Sequence, residues 1–403
     1  MNAQSVNTIR KKQLFMLSRD NLSQSIFYMS VLFLGLGFHA VYVLLLLFFL
    51  LLKPSYLIKP KIKSNFIVLF LLISFFLVPQ YLIGYQQITV DNPVLSMLSV
   101  MFSIVIYGIL LQQMPIKVIR ASIVFLVIGI GIEALITLFY SFHLNPVLYG
   151  YGLLYNPILN KEVNSPGVAL KIACFSSMLV WFVFQYLSTF RKIGLLFIIS
   201  ILVIFSMWLA SRAFFVILFL AIALSVLLNL KLKNIGNFIF LSLLGLGCFY
   251  LLLQYFDISL FSRVNRLDGS LQSPRFLLWQ DGFLKLLTHP LGGFSVDQTI
   301  DQVRWFHNIF LDAGRLAGWI PIVSLALFTF YSFVLFLQRK NKYSLFAGFM
   351  FAVVFALAQQ DVVVEAMIRF VVLLYFCAIL LGVKDSSQHI KARTKQFSRS
   401  KYV

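Results

Sequence analysis

The sequence predicts an all-α integral membrane protein of about twelve transmembrane helices, and three observations carry that expectation. Of its 403 residues 61% are hydrophobic and only 11% are charged, with a mean hydropathy of +0.93; a soluble domain needs far more polar surface to cover its core. Apolar runs follow one another along the chain, each close to the ~20 residues with which a helix crosses a bilayer. These Leu-, Phe- and Ile-rich runs lack the two-residue alternation of barrel strands. That leaves the helix as the structure that satisfies its own backbone in lipid.

The boundaries of the elements follow from the charges between them. A net charge of +20 would suit a nucleic-acid partner if it formed a patch, but the basic residues instead punctuate the apolar runs. Seven stations stand out: Arg10, Lys11, Lys12 and Arg19; Lys53, Lys59, Lys61 and Lys63; Lys117 and Arg120; Arg191 and Lys192; Lys231 and Lys233; Arg339, Lys340 and Lys342; and the tail from Lys384 to Lys401. Lys and Arg collect in cytoplasmic loops, so these stations mark the inner side and no nucleic-acid site is implied. Each pair of stations leaves room for two spans. The expected spans are 21–36, 38–52, 65–83, 94–113, 121–141, 168–189, 193–210, 213–230, 236–256, 307–337, 344–360 and 366–383, with both termini cytoplasmic. The first two share one apolar stretch, divided only near Gly35, Gly37 and His39.

The whole chain, 1–403, reads as one membrane domain without an internal repeat. Basic residues precede a full-length apolar stretch rather than a short one with a cleavage site, so no cleavable signal peptide is expected. Cys174, Cys248 and Cys377 each fall inside an apolar span. They read as small buried side chains, with no Cys/His cluster to hold a metal.

Ten Lys and Arg residues lie away from the inner stations: Lys161, Lys171, Arg212, Arg263, Arg266, Arg275, Lys285, Arg304, Arg315 and Arg369. All map to the outer face or just beneath it, and six of them lie in or beside one long outer loop, 257–306. Loops of that length in a compact protein are usually functional. A planar guanidinium grips phosphate through two parallel hydrogen bonds, so outward arginines point to an anionic ligand. The plainer reading pairs them with lipid headgroups or with Asp257, Asp268, Asp281, Asp297 and Asp301. Arg212 occupies a tight turn, Trp208-Leu-Ala-Ser-Arg-Ala-Phe-Phe, between two apolar spans. An ionisable residue so close to the membrane is a site candidate unless it snorkels to the interface.

Within the loop, Ser273-Pro274 reads as an N-cap followed by proline at the first helical position. A helix then runs from Arg275 and stops before His289-Pro-Leu-Gly-Gly. Phe276, Trp279, Phe283 and Leu286 share one face, giving an amphipathic helix that lies on the membrane or the bundle and leaves Arg275 in water or a cleft. His307 opens the next span. His307, Leu311, Gly314 and Gly318 fall on one stripe, and glycines four apart admit another helix or a lipid tail. A histidine at the water end of that groove is either a general base or simply interfacial. Asn308 either orients it or caps its helix.

The ordered set Arg275-x3-Trp279, His289-Pro-Leu-Gly-Gly and His307-Asn-x-Phe-Leu, followed by Gly314 and Gly318, resembles the O-antigen ligase and O-antigen polymerase superfamily. Ser211-Arg212 adds to the likeness, and His307 with Gly318 is similar to the histidine–glycine signature of the ligase branch. Val216 departs conservatively from the leucine often found four places after the first arginine. The motifs cover about 200–325, and the topology covers the whole chain. The resemblance implies a GT-C-like glycosyltransferase bundle in the bacterial inner membrane, with its active site on the periplasmic face. It implies an inverting transfer of undecaprenyl-diphosphate-linked glycan to lipid A–core in lipopolysaccharide assembly, without metal, ATP or other cofactor. In that scheme His307 deprotonates the acceptor hydroxyl, Arg212 and Arg275 hold the diphosphate, and Arg304, Arg315 and Asn308 are secondary candidates.

Two rivals stand beside this expectation. A polymerase of the same superfamily adds the same donor to another lipid-linked glycan; the histidine–glycine signature and the long loop before it favour the ligase. A flippase places ionisable residues near the bilayer midplane, whereas here the excess charge lies on one face. Glu133, Lys171, Asp361, Glu365 and Arg369, in or at the ends of spans, are expected to pair inside the bundle.

Overall fold

The structure, a computed structural model, describes residues 3–58, 93–144, 153–185, 189–209, 211–229, 274–297, 305–338, 341–360 and 368–382. In chain order the first helices are α1 (Ala3–Leu36), α2 (His39–Leu52), α3 (Ser55–Ile58), α4 (Pro93–Gln113) and α5 (Ile116–Leu144). A hairpin of β1 (Leu153–Asn156) and β2 (Lys161–Asn164) follows, paired antiparallel. Then come α6 (Ser165–Gln185), α7 (Thr189–Trp208), α8 (Arg212–Asn229), α9 (Pro274–Thr288), α10 (Ile309–Ala317), α11 (Trp319–Gln338), α12 (Lys342–Ala358) and α13 (Ile368–Gly382). The expected spans 65–83 and 236–256 lie outside the described residues, as do Cys248, Arg263, Arg266, Arg304, Asp361 and Glu365.

Local chemistry accounts for several boundaries. Gly37, with φ +86°, separates α1 from α2, so the apolar stretch 21–52 does form two helices. Asn164 caps α6 by accepting the Gly167 N–H, and Pro166 sits in its first turn, where no donor is needed. Asn341 caps α12 through the N–H groups of Tyr343 and Ser344.

Helices α5, α6, α7 and α11 are long and apolar enough to cross a membrane, and α2, α8, α12 and α13 are shorter apolar helices. Large apolar side chains such as Leu51, Phe190, Phe219, Phe330 and Leu337 face outward, an arrangement that suits lipid rather than water. This is a predominantly helical, membrane-embedded protein. Its centre is α13, buried from Phe370 to Leu381 and packed by α4, α5, α11 and α12; a helix apolar all round belongs in such a place. Cys174 and Cys377 are free and buried in their helices.

One expectation fails here. The span 307–337 is not a single helix: α10 and α11 break at Gly318, with φ +71°, and His307 stands ahead of α10 with φ +54°. The cause lies in the preceding loop. The Pro290 carbonyl accepts the Trp319 N–H at 3.0 Å, and a Cβ on Gly318 would lie 1.9 Å from that oxygen. Gly318 therefore admits a backbone turn of the same chain, while Gly314 does admit another helix: a Cβ there would meet Ile322 of α11 at 2.5 Å and Leu286 of α9 at 3.3 Å.

The bundle is fastened at one end by a buried charge cluster. Helices α1 and α5 cross where Gly35 meets Gly129; a Cβ on Gly35 would sit 2.4 Å from the Leu126 carbonyl oxygen. One turn further along α5, Glu133 is fully buried. Its carboxylate pairs with Lys171 Nζ at 2.8 Å and Arg369 Nη1 at 3.1 Å, and it accepts from Asn156 Nδ2 in the hairpin. Arg369 also donates to the Gly35 carbonyl at 3.0 Å. The side-chain oxygen of Asn156 meanwhile accepts the Ile158 and Leu159 N–H groups, which turns its amide nitrogen toward the carboxylate. The pairing expected of Glu133, Lys171 and Arg369 is present.

At the opposite end lie residues of the inner stations. Lys53 pairs with Asp20, and the Arg120 guanidinium lies 5.7 Å from the Tyr343 ring and 5.5 Å from that of Phe346.

Removing one partner of a buried ion cluster leaves uncompensated charge, so Glu133→Ala is expected to destabilise the fold by about 3–5 kcal/mol. Thermal unfolding of the purified full chain in detergent measures this; an unchanged midpoint would show that the cluster does not brace the bundle.

Candidate functional site

The site is assembled at the end of the bundle that carries the Glu133 cluster. The α9 helix begins at Pro274, as the local signals predict, but buries a different face. Leu278 and Leu286 are buried with Phe294, Val296 and Phe306 in a small second core, and Gly282 lies against the Phe306 ring. Of the expected face, Leu286 is buried and Trp279 half-buried, while Phe276 and Phe283 are exposed together with Leu277, Leu284 and Leu287. The helix has two apolar faces, and Phe306 selects the one bearing a glycine into which its ring fits. Trp279 Nε1 donates to the Phe306 carbonyl at 2.8 Å, joining the helix to the segment before His307.

The His307 turn is built around one carboxylate. Asp312, almost fully buried in α10, accepts the Phe306 N–H at 2.8 Å through one oxygen and the Asn308 N–H at 3.1 Å through the other. The two donors flank His307, which holds it in the left-handed region that most residues avoid. Asn308 is the N-cap of α10: its oxygen accepts from Phe310 and Leu311, and its Nδ2 donates to Gln359 Oε1 at 3.0 Å. Of its two expected roles, capping is present, and through the turn it also adjoins His307.

Trp305 Nε1 donates to His307 Nδ1 at 3.0 Å. An indole N–H can only donate, so Nδ1 is the acceptor and the proton of the neutral ring sits on Nε2. In this arrangement His307 offers a donor from Nε2. A base needs a lone pair there, so base action requires the indole to release Nδ1 first.

The cations differ in what they face. Arg275, in the first turn of α9, donates through Nη1 to Gln360 Oε1 at 3.0 Å. Lys285 pairs with Asp281 at 2.8 Å and donates to the Ser295 carbonyl. Arg315 is buried, with Nε 3.8 Å from Asp312. Arg304 lies outside the described residues. Arg212 is the first residue of α8, whose start is capped by Ser211 Oγ accepting the Phe214 N–H. Just before it, Trp208 packs 5.5 Å from Phe142 near the end of α5, which puts the start of α8 at the same end of the bundle. His307, Asn308 and Arg275 thus come together through Gln359 and Gln360, with Arg212 on a helix that begins at that end.

Trp305, Asp312, Gln359 and Gln360 escaped the sequence reading. An acid in the first turn behind a capping Asn was a visible signal for Asp312; two glutamines closing an apolar helix offered none that distinguishes them from an ordinary polar end. Compared with known proteins, the chain matches no family model and no curated protein.

The His307 turn depends on both oxygens of Asp312. Asp312→Asn leaves one buried N–H without its acceptor, which costs about 1–3 kcal/mol, and Gly318→Ala, with φ unfavourable and Cβ against Pro290, costs about 2 kcal/mol or more. Both are expected as lowered unfolding midpoints and faster proteolysis between α9 and α11; Gly318→Ala with wild-type behaviour would contradict the close contact.

Proposed function

We propose that this protein is a glycosyltransferase that moves a glycan from undecaprenyl diphosphate to lipid A–core at the end of the bundle that carries His307, the periplasmic end in this reading. The observation that supports it most is the gathering of the Arg275 guanidinium and the strained His307 turn on adjacent residues of one helix end. That pairs an anion-binding group with a polar group able to act on a hydroxyl or a departing oxygen. The motif likeness supplies the chemistry that joins them.

In this scheme the acceptor hydroxyl oxygen attacks the anomeric carbon from the face opposite the diphosphate. The carbon–oxygen bond to the diphosphate breaks, its electron pair leaves with the undecaprenyl diphosphate, and the configuration inverts. Arg275 and Arg212 stabilise the charge that develops, a contribution of ~2–4 kcal/mol for each such contact at a transition state. The acceptor hydroxyl proton passes to the departing diphosphate while Trp305 holds Nδ1 and His307 donates from Nε2, or to His307 itself once the indole lets go of the ring.

Lipopolysaccharide gels of a deletion strain complemented at matched expression test the proposal. The deletion and His307→Ala are expected to lack polymer on lipid A–core while undecaprenyl-linked long chains accumulate. Full complementation by His307→Ala removes the site assignment, and a single repeat unit on the core without a ladder identifies a polymerase. His307→Gln retains a donor but no base, and is expected to keep a measurable fraction of the activity that His307→Ala loses.

A further inference from the structure

Asn308 and Arg275 lie 51 and 85 residues from the glutamines they touch, yet both end on the turn that follows α12. The orientation of the first amide is dictated from the turn. The Asn308 oxygen is consumed by the Phe310 and Leu311 N–H groups, so Asn308 can present only its NH2. Gln359 must meet that donor with Oε1, and its own Nε2 is then directed elsewhere. Among the described residues that buried nitrogen has no hydrogen-bond partner. Buried donors are nearly always satisfied, so it marks a place for an oxygen acceptor beside the His307 turn.

The second amide acts on charge. Lys285 faces Asp281 and Arg315 faces Asp312, and both are pairs with carboxylates. Arg275 instead meets the neutral oxygen of Gln360. A carboxamide oxygen accepts the same hydrogen bond as a carboxylate and fixes the guanidinium equally well, but it cancels none of the positive charge. The remaining N–H groups of the fork keep their attraction for an anion.

We propose that Gln359 and Gln360 are positioning residues of this site: Gln360 aims Arg275 while leaving its charge for an anionic group, and Gln359 ties the His307 turn to α12 and offers its amide nitrogen to a ligand oxygen. This rests on the reading of the site as one for a polyprenyl diphosphate. The chemistry explains why an amide, and not the isosteric acid, stands at 360: a glutamate there would form an ion pair with Arg275 and compete with the diphosphate for it.

The test is binding of undecaprenyl diphosphate to the full-length protein in nanodiscs, with wild type, Gln360→Glu and Gln360→Met compared after each passes a thermal-unfolding check. Gln360→Glu is expected to bind about tenfold more weakly, because it neutralises Arg275, and Gln360→Met to lose less, because the charge survives while its aim is lost. A merely structural hydrogen bond gives the reverse order, since glutamate preserves it and methionine does not; that order, or equal binding by Gln360→Glu and wild type, overturns the proposal. Wild type that does not bind undecaprenyl diphosphate overturns the diphosphate reading of the site and the proposal with it, an outcome distinguishable because no variant is needed to see it. Should Gln360→Glu fail to fold, Gln359→Met is read in the same assay, where binding equal to wild type overturns the role of the Gln359 nitrogen.

Discussion

Glu133 is a carboxylate with no exposure to solvent, placed in a bundle whose other neighbours are largely hydrocarbon. A charge there has to find its partners inside the protein, because neither lipid nor a dry interior will solvate it. It finds them on three separate segments: Lys171 on α6, Arg369 on α13 and Asn156 in the hairpin. The glycine crossing of α1 and α5 brings the Gly35 carbonyl close enough to take a further bond from Arg369. Arg369 stands in the first turn of α13, so the cluster ties the start of that buried helix to α1, α5, α6 and the hairpin. The cluster is a structural device, and the candidate site lies at the same end of the bundle.

The same rule operates on a smaller scale at Asp312. Two backbone N–H groups on either side of His307 converge on its carboxylate, and the price of satisfying both is a left-handed backbone at a non-glycine residue. Strain of this kind persists only where surrounding contacts over-determine it. Here Trp279 holds the carbonyl before the turn, Phe306 is buried in the second core, and Trp305 lies across the ring. Every one of these contacts restricts His307, which is the behaviour of a residue whose position matters.

Sorting the cations by partner separates two jobs that composition cannot distinguish. Lys171, Arg369, Lys285 and Arg315 all face carboxylates and hold the fold. Arg275 faces the amide oxygen of Gln360, which leaves its charge uncancelled. Among the described cations, these four are thus paired with carboxylates, while Arg275 meets a neutral acceptor.

Much of the frame was legible in the amino-acid order because its causes are local. A span must be apolar for its own length, a left-handed glycine at 37 ends one helix within its own turn, and Ser273-Pro274 announces α9 wherever the helix later packs. Arg275, His307 and Asn308 were recognisable by residue type and order. What the order could not specify depends on groups far away in sequence. Gly314 and Gly318 have helical spacing, and only the arrival of Pro290 breaks the helix there. The two apolar faces of α9 are equivalent until Phe306 chooses one. Asp312, Trp305, Gln359 and Gln360 become meaningful only when backbone N–H groups, an imidazole and a guanidinium are brought within about 3 Å of them. Hydropathy acts on each segment alone and so is written along the chain; a hydrogen bond needs both partners in place, and the second partner is supplied by the tertiary structure.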